Sequence, residues 1–550
     1  MKRIITIVLA MSLLLTSVFT AVSVTAAGSD YSTALKYSIY FYDGNKCGPD
    51  VAKDNVFDWR GACHTQDGSV VSLDLTGGYH DAGDHVKFNL PQAYAASILG
   101  WSLYEYKSVF DSTGNKTKML STMKYFTDYL LKCHPNATTY YYQVGDGQID
   151  HTYWGAPETQ TGERAVPYVA NSSSAASDVC ALTSSALTLM YLNYKDVDSS
   201  YASTCLKAAK ELYTMAKTNL GKYKEGAFYQ SNGYWDDLSW AAAWLYVAEE
   251  DSSYMTEIDS YLSHTTFLGE SPFINKWTMC WDDMYMAVFC KMAELTGEKK
   301  YKDAMEYNLN YWMTSLTTTP GGLKYLSNWG VLRYASAEAL LALQYYKQTG
   351  NETYKTFAQS QIDYALGKNP KSMSYVIGYG SNYSLHPHHR AANGYTYAGG
   401  ENTKPAKHTL TGALVGGPDS SDAFLDDVNS YQNTEVAIDY NAAFVGAVAG
   451  LMAGKPSSST PTPTKNPSTP TPTATSSSTV IKGDLNGDGK VNSIDFGFYR
   501  QLILGMIKTP TLIDPSHNWI DAADVNSDGA NNSIDFGYLR LYLLGKISSF

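Results

Sequence analysis

The chain has 550 residues and a formal net charge of -12, with 53 acidic side chains against 41 lysines and arginines. This length exceeds what one hydrophobic core normally holds, so we expect a large domain with an additional module. The acidic balance argues against nucleic acid and anionic membranes as partners. It leaves uncharged ligands open.

The N-terminal segment is typical of a secretory signal peptide. Lys2 and Arg3 precede an apolar run that extends from Ile4 to about Val22 and is followed by small residues. The run is too short for a membrane anchor, and nothing like it recurs. We therefore predict a signal peptide over residues 1–27 and a secreted, soluble mature protein.

Residues 28–454 show helical periodicity, with about ten to twelve apolar stripes separated by Gly-, Asn- and Pro-rich loops. This region also holds all the cysteines: Cys47, Cys63, Cys133, Cys180, Cys205, Cys280 and Cys290. An odd number at irregular spacing is not a disulfide framework. We expect most of them to be buried as small hydrophobic residues. A single disulfide bridge between two of them is the alternative.

The first motif with catalytic chemistry is GGYHDAGDHVKF, where Asp81 and Asp84 lie beside His80 and His85. Neighbouring glycines predict a tight loop. Two carboxylates held together shift each other's pKa, and the ionised one can polarise a water molecule. A calcium-binding or purely structural loop explains the motif equally well when it is taken alone.

A second group of polar motifs lies about 300 to 350 residues later along the chain. SLHPHHR contains His388 and Arg390, and DDVNSYQNTEVAIDYN contains Asp426 and Glu435. We expect Glu435 at the start of an apolar helix, where partial desolvation raises a carboxyl pKa as a general acid requires. The alternative is a glutamate that only complements the helix dipole.

Aromatic and polar residues between these motifs are candidates for binding a ligand, since indole faces stack on apolar C–H faces and nearby polar groups can bind its hydroxyls. Core packing is the alternative for each tryptophan. The candidates are His151, Trp154, Trp277, Trp281, Trp329, Arg333, Tyr334 and Tyr440.

Residues 455–480 are almost wholly Pro, Ser and Thr, which predicts an extended linker. The module at 481–550 repeats a twelve-residue loop and a following helix, at 484–505 and 524–545. Oxygen-bearing residues occupy the positions that a hard cation needs, with Asp instead of the usual Glu at position 12. The predicted calcium ligands, including the residue at position 7, are Asp484, Asn486, Asp488, Lys490, Asn492 and Asp495, then Asp524, Asn526, Asp528, Ala530, Asn532 and Asp535.

The three catalytic motifs together resemble glycoside hydrolase family 9, the inverting cellulases. The resemblance implies an all-α fold, an (α/α)6 barrel, for residues 28–454. It implies Asp84 as general base, Asp81 as a holder of the water and Glu435 as general acid. His388, Arg390 and Asp426 would bind sugar hydroxyls and orient the acid. Trp154, Trp277, Trp329 and Tyr440 would form a stacking platform, and Asp236, Asp237 and Asp282 match a calcium site of some relatives.

The paired calcium loops resemble a type I dockerin, a small all-α domain that binds a cohesin on a cellulosomal scaffold. This implies two calcium ions, folding that depends on them, and an extracellular cellulosome location. We therefore predict a secreted endo-β-1,4-glucanase that acts on cellulose and is monomeric outside the complex. The alternatives are an exo-acting enzyme, an enzyme for xyloglucan or mixed-linkage glucan, and a non-catalytic carbohydrate-binding subunit.

Overall fold

The computed structural model describes residues 29–454, 481–503, 507, 509–510, 512–513, 517–527, 531–543, 546–547 and 549. These residues form two compact units, one before and one after the linker segment. We call them the large unit (29–454) and the small unit (from 481). The predicted signal peptide and linker lie outside the described residues, as do Asp528, Ala530 and the ends of both repeats.

The large unit is mostly helical. Its helices are α1 (Tyr31–Asn45), α2 (Asn89–Glu105), α3 (Lys107–Ser112), α4 (Lys116–Lys132), α5 (Gly147–Asp150), α6 (Ser177–Tyr194), α7 (Ser199–Thr218), α8 (Trp235–Glu249), α9 (Ser253–Tyr261), α10 (Tyr285–Thr296), α11 (Lys299–Asn310), α12 (Val331–Thr349), α13 (Glu352–Ala365), α14 (Arg390–Asn393), α15 (Tyr431–Thr434) and α16 (Ile438–Met452).

Four two-residue strands complete the large unit as two antiparallel pairs. β1 (Lys87–Phe88) pairs with β3 (Gln143–Val144), and β2 (Tyr140–Tyr141) pairs with β4 (Val169–Ala170). The β1–β3 pair fixes the chain directly between the Asp81–Asp84 loop and α2.

Six helices form a closed inner ring in which α2, α6, α8, α10, α12 and α16 each contact the next, and α16 contacts α2. Outer helices alternate with them along the chain: α1 packs on α16, α4 on α2, α7 on α6, α9 on α8, α11 on α10 and α13 on α12. This is the predicted (α/α)6 barrel. No helix among the described residues is both long and apolar enough to span a membrane.

The composition of each helix explains which layer it occupies. In α16, IDYNAAFVGAVAGLM, every residue from Ile438 to Leu451 is buried, as a helix surrounded by others requires. In α7 the buried residues recur every three or four positions, from Ala202 to Ala216, so only one face is covered.

The loops that lead into the inner helices carry the predicted catalytic residues to one end of the barrel. Asp84 precedes α2, Trp281 precedes α10, Trp329 precedes α12 and Glu435 precedes α16. Residues more than 300 positions apart in sequence therefore share one end of the ring.

The small unit contains α17 (Ser493–Ile503), α18 (Trp519–Ala523) and α19 (Ser533–Leu543). α17 and α19 follow the two predicted calcium loops and pack together, with the rings of Phe496 and Phe536 stacked at 4.4 Å. The described part of the small unit is all-α, as predicted.

Candidate active site

The Asp81–Asp84 loop is held by close backbone contacts. A side chain on Gly83 would meet the carbonyl oxygen of His388 at 2.0 Å, so only glycine permits this approach. The amide of Arg390 donates to the Gly83 carbonyl at 3.0 Å, and the amide of Ile438 donates to the Asp81 carbonyl at 2.9 Å. The first motif is thus bonded directly to both later motifs.

Asp84 accepts backbone hydrogen bonds through both oxygens, from Ala82 at 3.1 Å and from Val86 at 3.2 Å. Burial raises its pKa, and the nearby charge of Asp150 adds to the effect. Burial raises the pKa of Asp81 well above its usual range, with a further contribution from Asp84. Burial thus favours the protonated form of both groups, whereas the hydrogen bond from the Ala82 amide opposes this shift at Asp84.

Asp81 offers one free oxygen. Its Oδ2 accepts a hydrogen bond from the Tyr229 hydroxyl, while its buried Oδ1 has no partner among the described residues. Tyr229 was not singled out from the sequence, because no pattern links it to a motif 148 residues away.

Glu435 lies between α15 and α16, whereas we expected it at the start of the helix; the structure places the first residue of α16 at Ile438. Its Oε2 accepts hydrogen bonds from Trp329 Nε1 at 2.6 Å and from the Tyr440 hydroxyl at 2.9 Å. Burial raises its pKa although both hydrogen bonds oppose the shift. Desolvation thus favours a protonated carboxyl group, as the sequence argument required.

Asp84 and Glu435 line the same cleft, whose volume is about 300 Å³. Its lining includes Asp81, Asp84, Phe88, His151, Phe228, Tyr229, Trp281, Trp329, Arg333, Glu435 and Tyr440. A second cavity of about 580 Å³ shares Trp281 with it and contains Trp277 and Tyr334. The two together make a longer groove across this end of the barrel.

His388 is fixed beside the acid. Its Nδ1 donates to the carbonyl of Val428 at 2.6 Å, and its backbone pairs with that of Glu435. Burial lowers its pKa to about 4, so the ring is neutral and its Nε2 is the free acceptor.

Arg390 and Asp426 do not line the cleft. Arg390 is buried and pairs with Asp150 at 2.7 Å. Although burial opposes the shift, His85 and Arg390 lower the pKa of Asp150 to about 2, which keeps a negative charge near Asp84. Asp426 accepts from Ser384 Oγ at 2.5 Å and from the backbone of Leu385 and His386, and so fixes the loop that leads to His388.

The aromatic candidates divide into three groups. Trp329 is 41% exposed and presents a face to the cleft, as Trp277 does further along the groove. Trp154 is only 5% exposed and donates to Asn393 Oδ1 at 3.0 Å, so it packs behind His388 instead of forming a platform. Tyr440 is buried as well, and its hydroxyl holds Glu435, so its ring is not a stacking surface.

Two exposed tyrosines that the sequence analysis did not select extend this aromatic lining. Tyr431 lies 5.1 Å from Trp329 and 6.1 Å from His388 between ring centroids, and Tyr397 lies 5.2 Å from Trp154. Both are about half exposed. Their only sequence signal was the general abundance of tyrosine.

Asp236, Asp237 and Asp282 lie together with Asp178 and Asp283. Burial, reinforced by charges within the group, raises the pKa of Asp282 to about 7 and that of Asp237 well above its usual range. Asp237 Oδ1 is buried and has no partner, and no lysine or arginine forms an ion pair with the group within the described residues. Oxygen donors without a compensating cation are the donor set that Ca²⁺ prefers.

The sequence analysis did not identify a second group of potential metal ligands. The ligand atoms of Cys47, Cys63, His64 and His80 all lie within 4.8 Å of one another. The expectation that the cysteines are buried is confirmed for all seven, and none forms a disulfide. Two sulfur and two imidazole donors at this spacing suit a tetrahedral zinc ion.

In the small unit, aspartates of both predicted calcium loops accept hydrogen bonds from backbone amides within their own loop. Asp495 at position 12 accepts from the amides of Leu485 at 2.8 Å and Asn492 at 2.9 Å, and Asp535 accepts from Asn526 at 3.2 Å and Asn532 at 3.1 Å. Asp484 accepts from the amide of Gly489 at 2.9 Å. In both loops the position-12 aspartate therefore accepts hydrogen bonds from backbone amides of its own loop.

Comparison with known proteins agrees with this geometry. Residues 31–448 match the glycosyl hydrolase family 9 profile, and residues 482–544 match the type I dockerin domain. The crystal structure of the cellulase Cel9M of C. cellulolyticum with cellobiose is 63% identical, with a TM-score of 0.76, and covers 77% of this chain and 99% of that one. The catalytic domain of CelT from Clostridium thermocellum is 38% identical, with a TM-score of 0.71, and covers 76% of this chain and 96% of that one.

Endoglucanase A of Bacillus pumilus is 38% identical over 442 residues, which cover 77% of this chain and 66% of the relative. The similarity thus spans about two thirds of that relative's length. The family profile covers most of the chain and includes every residue of the cleft. The chain belongs to glycosyl hydrolase family 9 and carries a type I dockerin domain.

Proposed function

We propose that this protein is a cellulosomal endo-β-1,4-glucanase that hydrolyses internal bonds of cellulose with inversion of configuration. The observation that carries the proposal is the shared cleft of Asp84 and Glu435, in which backbone amides donate to both oxygens of Asp84 and burial raises the pKa of Glu435. Inversion needs a base and an acid on opposite faces of the scissile sugar with one water between.

In the proposed mechanism Asp84 removes a proton from the attacking water, and the free Oδ1 of Asp81 holds that water. Glu435 donates its proton to the leaving oxygen, while Trp329 and Tyr440 fix the carboxyl group through its Oε2. Because both hydrogen bonds go to one oxygen, Oε1 is left to carry the proton.

The groove supports a polymeric substrate. Trp329 and Trp277 are exposed along it, and Trp281 joins its two cavities. An open row of aromatic faces can hold successive glucosyl units of a long chain, which favours internal cleavage over release from chain ends.

We also propose two calcium ions in the dockerin and one in the catalytic domain. Asp236, Asp237 and Asp282 would hold the latter, and the ion would offset the mutual repulsion of the buried carboxylates. The dockerin would bind a cohesin of an extracellular scaffold, after secretion through the N-terminal signal. Outside that complex the protein would be a monomer.

The test is hydrolysis of soluble carboxymethyl-cellulose, with viscosity and reducing ends followed together. Glu435→Gln and Asp84→Asn should each lose on the order of 100- to 10,000-fold in rate. Asp303→Asn on the outer helix α11 is the matched control and should keep full activity, since its carboxylate is exposed and forms an ion pair with Lys299 on the same helix.

Rapid loss of viscosity with few new ends supports endo action. New ends without loss of viscosity would indicate an exo-acting enzyme. A wild-type protein that hydrolyses neither this polymer nor xyloglucan nor mixed-linkage glucan would overturn the catalytic proposal in favour of a carbohydrate-binding subunit.

A further inference from the structure

Asp439 lies in the first turn of α16, four residues after the acid, and takes no part in the proposed proton transfers. Its side chain is 2% exposed, and its Oδ2 pairs with Arg333 NH1 at 3.0 Å. Its Oδ1 has no partner among the described residues. An incompletely satisfied buried carboxylate is costly, so its position calls for an explanation.

Arg333 connects this carboxylate to the acid. Its guanidinium lies 5.1 Å from the centre of the Tyr440 ring and 4.6 Å from that of Tyr334, and NH2 donates to the Tyr334 hydroxyl at 2.7 Å. Tyr440 in turn donates to Glu435. A cation this close to a general acid favours loss of the acid's proton, which is the opposite of what catalysis needs.

We propose that Asp439 is a positioning residue for the hydrolysis, whose buried carboxylate neutralises Arg333 and so allows Glu435 to remain the proton donor. Arg333 can then orient Tyr440 and the groove without withdrawing the proton from the acid. The inference rests on the proposed function and concerns the same site.

The electrostatics of the site agree with this arrangement. After burial and the hydrogen bonds from Trp329 and Tyr440, the charges that act on the pKa of Glu435 are Arg333, which lowers it, and Asp439, which raises it. The other ionisable groups around the acid come from separate loops: Asp81 before α2, Tyr229 before α8 and His388 before α14. Asp439 is four residues after Glu435 in sequence, so the ion pair with Arg333 involves the same short segment of chain as the acid.

The test is the pH dependence of kcat/KM and kcat on soluble β-glucan for Asp439→Asn. This variant keeps the shape of the side chain and leaves Arg333 uncompensated. The alkaline limb, which reports loss of the acid's proton, should move to lower pH by about one unit. At a fixed pH above that limb the rate should fall about tenfold, whereas the loss below it should be small.

Glu105→Gln is the matched control. It removes one member of another buried ion pair, with Lys291 at 2.7 Å, at the opposite end of α2. It should lower the melting temperature and leave the alkaline limb unchanged. An Asp439→Asn profile that loses rate equally at every pH would mean that the residue is only structural, and a limb that moves to higher pH would refute the assigned sign.

Arg333→Met provides a second test, which applies even if Asp439→Asn does not fold. Removing the cation while Asp439 remains should move the alkaline limb to higher pH, and an unchanged limb would overturn the proposal. The wild-type rate in the same assay separates the two proposals. An inactive wild type contradicts the proposed function, whereas an active wild type with unshifted variants contradicts only the role of Asp439.

Discussion

Burial raises the pKa of several carboxyl groups in the large unit, but the hydrogen-bond partners of each group determine its chemical role. Asp84 accepts two backbone amides and can remain ionised, whereas Glu435 accepts two side-chain donors through a single oxygen. Glu338, on the inner helix α12, is fully buried, and Thr278 is its side-chain hydrogen-bond neighbour. Desolvation alone therefore produces a shifted pKa, and a catalytic role needs the cleft as well.

Glu338 provides a prediction for stability. Burial raises its pKa to about 8, from 4.5 in the absence of perturbation. Between these values the folded state holds a proton that the unfolded state has lost, so its contribution to the free energy of unfolding falls as pH rises, by about 1.4 kcal/mol per unit. Glu338→Gln should remove this slope and raise the melting temperature at pH 8 but not at pH 4.5.

Calorimetry of wild type and Glu338→Gln across that pH range checks the prediction. Exposed Glu163→Gln serves as the control and should leave the slope unchanged. Equal slopes in wild type and Glu338→Gln would mean that Glu338 is ionised in the folded state.

At the scale of elements, the loops before the inner helices are positioned by contacts with one another. Cys47 directly follows the last turn of α1, Cys63 and His64 lie in the next loop, and His80 is adjacent to Asp81. The Cys/His group thus connects α1 to the loop of the catalytic base. A metal ion bound by His80 would restrain the loop that carries Asp81 and Asp84.

We predict that this group binds one zinc ion. Cys63→Ser should lose the metal and lower the melting temperature, because the two imidazoles and the remaining sulfur make an incomplete set of ligands. Elemental analysis of the purified protein measures the zinc content. Cys205→Ser, a buried cysteine on α7 remote from any histidine ligand, is the control and should keep the zinc. Equal zinc content in the two variants would exclude the group as the binding site.

For the whole molecule, the sequence was sufficient where function depends on short motifs. The three catalytic motifs together indicated the family and the barrel, and the duplicated calcium loop indicated the dockerin. The sequence was insufficient where two interacting residues are far apart along the chain. Asp439 pairs with Arg333, which is 106 positions away, and Cys47 lies near His80 only because their loops fold together. The burial of Trp154 was likewise unpredictable, because an exposed and a packed indole have the same local sequence. The domain boundaries and the roles of individual site residues remain predictions.

The last prediction concerns the independence of the two units. Asp495→Ala removes the position-12 ligand of the first loop and also the acceptor for the amides of Leu485 and Asn492. Without it the loop loses both a calcium ligand and its internal closure, so calcium-dependent folding of the dockerin and binding to type I cohesins should be lost. Hydrolysis of soluble β-glucan should be unchanged, because the catalytic residues belong to the other compact unit.

Calorimetric titration with calcium, a cohesin-binding assay and the viscosity assay together measure these effects in the full chain. Asp521→Ala is the matched control, since this aspartate is in the same unit but outside both loops and, among the described residues, forms an ion pair with Lys482. It should retain calcium and cohesin binding. If Asp495→Ala also reduced hydrolysis of the soluble polymer, the two units would be coupled, and the dockerin would influence catalysis as well as attachment.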